Sequence, residues 1–327
     1  MTWLAASPTT GSRKNDLSAS PDGRSVTDRV QKGDGGEWQV FLRSQGTDGS
    51  WWQVAGLPDK CVHAVLGTDA LYLLSRRDAP HGKVLRLPVT GGATVAGAHE
   101  IVPTSDLVIE DLAVTRDTVW VVDMDSGLQQ VRAFDANGRP LAPVEIPPMS
   151  SVSSYFARLS TLRQDRIAWS CESFTEPATW WVAADGQAPR ATALRTTTRV
   201  ELSGYEVTRE YATSRDGTCV PLNVISAPGT PRDGTAPALL TAYGGYGISL
   251  VPRFDPELLL WLSRAASMWW PTSAAAASSA RSGTTPVDSP PSRTPSTTSL
   301  RARTICTAAG SPVTSDWRSW AVPTEGC

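Results

Sequence analysis

The chain carries little charge and almost no imbalance of sign. Charged residues are 19% of its 327 positions and the net charge is −2. That leaves no electrostatic case for nucleic acid or an anionic membrane surface as a partner. No apolar run approaches the roughly 18 residues of a membrane helix. Arg13 and Lys14 near the N-terminus have no apolar stretch behind them, which argues against a secretion signal. The cysteines, Cys61, Cys171, Cys219, Cys306 and Cys327, are odd in number and form no CxxC pair. Neither zinc nor a disulfide framework is indicated, so the expectation is a reducing, cytoplasmic setting with no metal and no cofactor. Histidine is scarce: His63, His81 and His99 are present and none follows. None has a metal-ligand neighbour at suitable spacing, and all three read as surface or loop residues. No G-x-S-x-G string occurs.

What is abundant is short β-type runs cut by turn residues. Ser20-Pro21-Asp22-Gly23 is a turn signal, followed by the run Glu37 to Arg43. Then come Ala70 to Ser75 with Lys83 to Leu87, Thr118 to Asp123 with Val131 to Asp135, and Arg166 to Ser170 with Thr179 to Val182. First strands near 70, 118 and 166 recur with a period of roughly 48 residues, the spacing of β-propeller blades. A β-sandwich also has short strands at regular spacing. On period the expectation is about three to four blades, fewer than most closed rings, with sheet edges left open to aggregation. Trp38, Trp120, Trp169, Trp180 and Trp181 sit in apolar runs and read as packing between blades rather than as a ligand platform.

From Gly204 the pattern changes. Tyr205 to Thr213 alternates as a half-buried strand, Asp216-Gly217 turns it, and Val220 to Ser226 returns as the hairpin partner. Ala238-Leu239-Leu240-Thr241-Ala242 is an unbroken run suited to a strand buried on both faces. It runs into Tyr243-Gly244-Gly245-Tyr246-Gly247. Glycines at the end of a strand let backbone amides approach a substrate, as in the oxyanion hole of an α/β-hydrolase.

At these residues the chain resembles the prolyl oligopeptidase family of serine peptidases. Ser214-Arg215-Asp216-Gly217-Thr218 with Val220-Pro221-Leu222 looks like the lead into that family's peptidase domain. Tyr243 to Pro252 resembles its Y-G-G-F/Y-x-I-S-x-x-P loop, the most specific part of the match. The upstream repeat is similar to its seven-bladed, substrate-filtering propeller, and the likeness spans roughly residues 18–262. The resemblance implies that Tyr243 donates to the tetrahedral oxyanion, that Tyr246 lines the proline pocket, and that Gly244 and Gly245 contact substrate. On residue type alone both tyrosines would simply pack the loop. The implied reaction is serine endopeptidase cleavage of short peptides after proline. Related peptidases of basic or acyl-amino specificity share the loop.

Two requirements of that chemistry are missing. A hydrolase of this fold needs a serine on a G-x-S-x-G elbow, then Asp, then His. Without nucleophile and base the acyl cycle does not run, so the chain as written is expected to be inactive. The alternative is a non-catalytic, propeller-derived peptide-binding module. After residue 263 the chain becomes Ser/Thr/Ala/Pro-rich, yet Trp269, Trp270, Trp317 and Trp320 are unusual for a disordered extension. A reading-frame slip accounts for them. The family string G-G-V-Y-V-V-A-N-I-R, written in GC-rich codons and read one base out of step, gives the residues from Ala265 to Ala274. Codons allowed for Ser311 to Cys327 likewise permit the nucleophile elbow V-G-G-S-N-G-G-L in the restored frame. The expected organisation is a mainly β protein: an uncertain tail (1–17), a partial β-propeller (18–203), the first strands of an α/β-hydrolase domain (204–263), and an out-of-frame, disordered tail (264–327). Oligomeric state is left open.

Overall fold

Turn chemistry cuts the first two hundred residues into hairpins. A computed structural model describes residues 13–32, 36–44, 49–152, 159–163, 165–213, 219–241 and 249–271. Ser20-Pro21-Asp22-Gly23 joins β1 (Arg13–Ala19) to β2 (Ser25–Lys32). Gly23 takes φ +70° and its N–H donates to Ser20 O at 2.9 Å. The sequence reading placed this turn ahead of β3 (Gln39–Ser44); two charged strands, β1 and β2, flank it instead. Another hairpin turns on Ser126 (φ +52°) and Gly127 (φ +88°), the doubly positive pair that matches the twist of the flanking strands.

Four antiparallel sheets result. Blade 1 is β1, β2, β3 and β4 (Trp52–Ala55). Blade 2 is β5 (Cys61–Leu66), β6 (Ala70–Ser75), β7 (Lys83–Pro88) and β8 (His99–Val102). Blade 3 is β9 (Val108–Val114), β10 (Thr118–Asp125) and β11 (Leu128–Asp135), edged by bridges Val131–Val144 and Phe134–Pro140. Blade 4 is β12 (Ser150–Ser151), β13 (Ser160–Arg163), β14 (Arg166–Ser173), β15 (Thr179–Ala184) and β16 (Arg190–Arg195). Second strands β2, β6, β10 and β14 begin at 25, 70, 118 and 166, steps of 45, 48 and 48 residues. The propeller period read from sequence is therefore the spacing of real blades.

Burial explains which strands were legible. In β6, Leu71 and Leu73 pack toward blade 1 while Tyr72 and Leu74 pack toward blade 3. In β10, Val119 and Val121 pack toward blade 2 while Trp120 and Val122 pack toward blade 4. A strand covered on both faces reads as a continuous apolar run. Each such Leu or Val contributes about 1.5–3 kcal/mol by burial. Gly138 fixes one contact between neighbours: at φ +87°, a Cβ there would lie 2.0 Å from Ile101 O.

The last sheet has the order β17 (Glu206–Thr213), β18 (Cys219–Ser226), β20 (Ser267–Pro271), β19 (Ala238–Leu240). β17, β18 and β20 are antiparallel neighbours, and β19 runs parallel to β20. Two expectations are corrected here. β19 is half-buried rather than covered on both faces, because among the described residues it is the edge strand. And regular structure does not stop at Arg264: Ser267 to Pro271 form a paired strand. A backbone ladder needs only residues that tolerate the pleat, and Met268, Trp269 and Trp270 are apolar β-formers. Residues 272–327 lie outside the described residues. The short helix α1 (Leu258–Leu262) lays Leu258 and Leu262 against Ile225 and Met268.

Candidate functional site

The loop that carries Tyr243, Gly244, Gly245 and Tyr246 lies outside the described residues; both of its ends are described. Thr241 N donates to Trp269 O at 3.0 Å, and Ser267 N donates to Pro237 O at 2.9 Å. The loop therefore leaves the carboxyl end of β19 beside the carboxyl end of its parallel neighbour β20. In open α/β sheets this is the end where ligands bind.

Beyond the loop the chain is tied to one end of blades 3 and 4. Val251 packs against Val108 and Met124. Ser151 Oγ donates to Pro252 O at 2.7 Å, and Phe254 N donates to Glu172 Oε2 at 3.2 Å. Burial raises the Glu172 carboxyl above the usual range, against the opposing pull of the Phe254 N–H and of Arg253. Arg209 of β17 donates to Asn223 Oδ1 at 3.2 Å and also to Ser126 O of the β10–β11 turn. Phe174, at the end of blade 4, stacks on Trp270 at 5.6 Å with an interplanar angle of 55°. The described segments before and after the glycine loop thus belong to a mixed sheet and a propeller end that hold each other.

A second constellation crosses the blades. Arg29 of β2 donates to Asp16 of β1 and to His63 Nδ1 of β5. With Nδ1 accepting, the ring proton sits on Nε2, which lies 3.7 Å from Asp111 Oδ1 of β9. Asp111 Oδ1 accepts from Leu112 N at 3.0 Å, and Oδ2 accepts from Leu159 N at 2.9 Å on the way to β13. Asp111 is fully buried and His63 nearly so. His63 is therefore not the surface or loop residue read from sequence; it is an inter-blade side chain. His81 does sit in a loop, its Nδ1 donating to Ser105 O at 2.6 Å, and His99 is exposed. Strand periodicity gave no warning of Arg29, His63 or Asp111. The available signal was an aspartate inside the apolar run Val108–Val114, since a buried carboxylate needs partners.

The tryptophans divide. Trp120 and Trp169 fill the space between blades 3 and 4, with Trp181 packed on them. Trp38 is half-buried beneath the Arg29 guanidinium, 5.2 Å from its ring. Trp180 is exposed. A cavity of about 320 Å³ opens on blade 2, but its charges pair internally, Arg77 with Asp59 at 3.0 Å and Lys83 with Glu100 at 3.3 Å. Among the described residues no group of three or more His, Cys, Asp or Glu is placed to hold a metal, and no helix is long and apolar enough to cross a membrane.

The four repeated blades are matched by one family model. Residues 10–191 fit the prolyl oligopeptidase N-terminal β-propeller domain. The chain belongs to the prolyl oligopeptidase family. It is 22% identical over 194 residues to a prolyl endopeptidase of Elizabethkingia meningoseptica, covering 59% of this chain and 27% of that relative. A solved prolyl endopeptidase superposes with a TM-score of 0.69 at 21% identity, over 82% of this chain and 40% of that one. Prolyl oligopeptidase B from Galerina marginata, solved bound to a 35mer hydrolysis and macrocyclization substrate, has a TM-score of 0.68 at 17% identity, covering 80% and 38%. The chain spans only about a quarter of the length of the first relative.

Proposed function

We propose that this chain is a piece of a prolyl-type serine endopeptidase: four propeller blades that flank substrate access and the opening strands of the catalytic sheet. Short peptides are the substrate class of the parent enzyme, and Tyr243 is its oxyanion donor. The observation that supports the reading is the placement of β19, parallel to β20, as the strand whose carboxyl end precedes the Tyr243 segment in the chain. Tyr246, Gly244 and Gly245 belong to the same loop and take the substrate-contacting roles.

As written, the chain does not turn over peptides. It has no G-x-S-x-G elbow, and its histidines all precede the Tyr243 loop. The tail after residue 263 is out of frame, and restoring one base returns the strand and elbow that the reaction needs. The purified chain releases no product from a chromogenic peptide with proline before the scissile bond. The frame-restored product does, and Tyr243→Phe in it lowers kcat by about 10²–10³-fold. Hydrolysis by the present chain that a serine-directed inhibitor abolishes overturns the inactivity. A frame-restored product that is soluble but inert overturns the peptidase reading.

A peptide-binding role without catalysis is the second reading. It requires neither the nucleophile elbow nor the later histidine that the sequence lacks. Saturable quenching of tryptophan fluorescence by proline peptides, with no product formed, is its signature.

A further inference from the structure

The two ring nitrogens of His63 face different blades. Nδ1 accepts from Arg29 of β2, in blade 1. Nε2 carries the ring proton and lies 3.7 Å from Asp111 Oδ1 of β9, in blade 3. Each contact therefore crosses one seam of blade 2. Arg29 also holds Asp16 of β1, within its own blade, and lies 5.2 Å over the Trp38 ring. Asp111 is committed to the backbone N–H groups of Leu112 and Leu159. The other charges on the strands packed against β5 have their own settings. Asp28 of β2 accepts from Asn15 at 3.0 Å, Glu110 of β9 pairs with Arg76 at 3.9 Å, and Arg43 of β3 is exposed. β6, which is hydrogen-bonded to β5, carries no charged residue.

A second proton on the ring goes to Nδ1. That removes the acceptor for Arg29 and sets two cations in contact. Asp111 attracts the new charge, but from 3.7 Å and with both oxygens already accepting. The Arg29 contact is a direct hydrogen bond and therefore closer, and Coulomb energy falls with distance. Arg29 then leaves His63 and stays with Asp16, its partner inside blade 1. The contact between blades 2 and 3 is kept, as an imidazolium facing a carboxylate. We propose that His63 is a proton-operated latch: neutral, it ties blade 1 to blade 2 through Arg29; protonated, it frees that seam while the seam between blades 2 and 3 holds. Imidazoles ordinarily protonate between about pH 5 and 8, so the latch works in that range. Asp28 does not produce the same response. Burial raises its carboxyl, so acid favours its folded form. The latch does not depend on peptidase chemistry.

Two free, buried cysteines report on different seams. Cys61 packs with Val40 and Leu42 of blade 1 and with Leu71 and Leu73 of blade 2. Cys171 packs with Trp120 of blade 3 and Ile167 of blade 4. The experiment labels the full native chain with a dithiodipyridine from pH 4.5 to 8 and reads each cysteine by peptide mass spectrometry. Each rate is divided by that of the urea-unfolded chain at the same pH, which cancels the titration of the thiol itself. The expected result is a rise in the Cys61 quotient of about tenfold or more from pH 7.5 to 5.5, under a ceiling of about a hundredfold for one proton over two pH units, with Cys171 unchanged. His63→Gln abolishes the rise, because the amide offers Arg29 an acceptor and Asp111 an N–H and does not titrate. His81→Gln combined with His99→Gln keeps it; these are the other two histidines of the chain. One lies in a loop and the other is exposed, so this variant decides the matter even where His63→Gln does not fold. An unchanged Cys61 quotient overturns the latch. So does a parallel rise at Cys171, which is general loosening, or a rise confined below pH 5, which belongs to carboxylates. A rise that survives His63→Gln, or one lost in the double variant, overturns it as well.

Discussion

His63 Nε2 lies 3.7 Å from Asp111 Oδ1, and this pair joins blade 2 to blade 3 through a carboxylate that also accepts two backbone N–H groups, those of Leu112 and Leu159. The same aspartate therefore fixes the approach of blade 4. Asp111→Asn keeps one acceptor and turns an NH₂ toward a donor. The expected cost is about 1–3 kcal/mol, the penalty for a buried polar group left without its partner. Urea unfolding followed by tryptophan fluorescence reads it, and an unchanged midpoint would show that the pair is not structural.

Gly138 stands against the backbone of Ile101, where an added Cβ would meet the carbonyl oxygen at 2.0 Å. Its φ of +87° also disfavours any side chain. Gly138→Ala is expected to destabilise by about 1–3 kcal/mol, the usual range for forcing atoms into a packed contact. Gly92→Ala is the control for the φ effect alone, because nothing lies within 4 Å of a Cβ there. Thermal melts of the two variants separate strain from clash, and equal melts would remove the clash from the account.

Glu172 is held above the usual carboxyl range mainly by burial. A carboxyl whose folded pKa is raised binds its proton more tightly in the folded chain. Its contribution to stability is present below the unfolded pKa and is lost as pH rises through the folded value. Glu172→Gln removes that loss and keeps an acceptor for the Phe254 N–H. The variant is expected to be more stable than the parent at pH 7, with the difference vanishing in acid below the ordinary glutamate range. Paired denaturant titrations at the two pH values measure it, and a difference independent of pH would sink the idea.

The Cys61 thiol is pushed up to about 12 by burial and by the nearby Asp59. At pH 8 only about one folded molecule in 10⁴ carries the thiolate, the reactive form. Cys61 is expected to resist iodoacetamide in the native chain and to react once urea unfolds it. Stability should fall as pH rises from the free-thiol range toward 12, because only the unfolded chain then releases the proton. Mass spectrometry of the labelled peptide decides the first point; labelling of Cys61 at the unfolded rate in native buffer would refute it.

Blades 2 and 3 were legible because β6 and β10 are covered on both sides and so read as apolar runs. β1, β2 and β16 were not. They have one face or none against a neighbour, and their sequences are correspondingly polar. β20 was missed for the opposite reason: a run judged by its origin in the gene still had the residues a strand needs.

The amino-acid sequence by itself determined the 48-residue period, the change of pattern at residue 204, the Tyr243–Gly247 loop and the lack of any histidine beyond His99. These are local properties, carried by composition, turn residues and spacing. Only the tertiary structure decided that Arg29, His63 and Asp111 meet and that Glu172 holds the chain beyond the glycine loop. Those contacts join residues tens of positions apart. They depend on which face each strand turns to its neighbour, and a single run of sequence does not encode that.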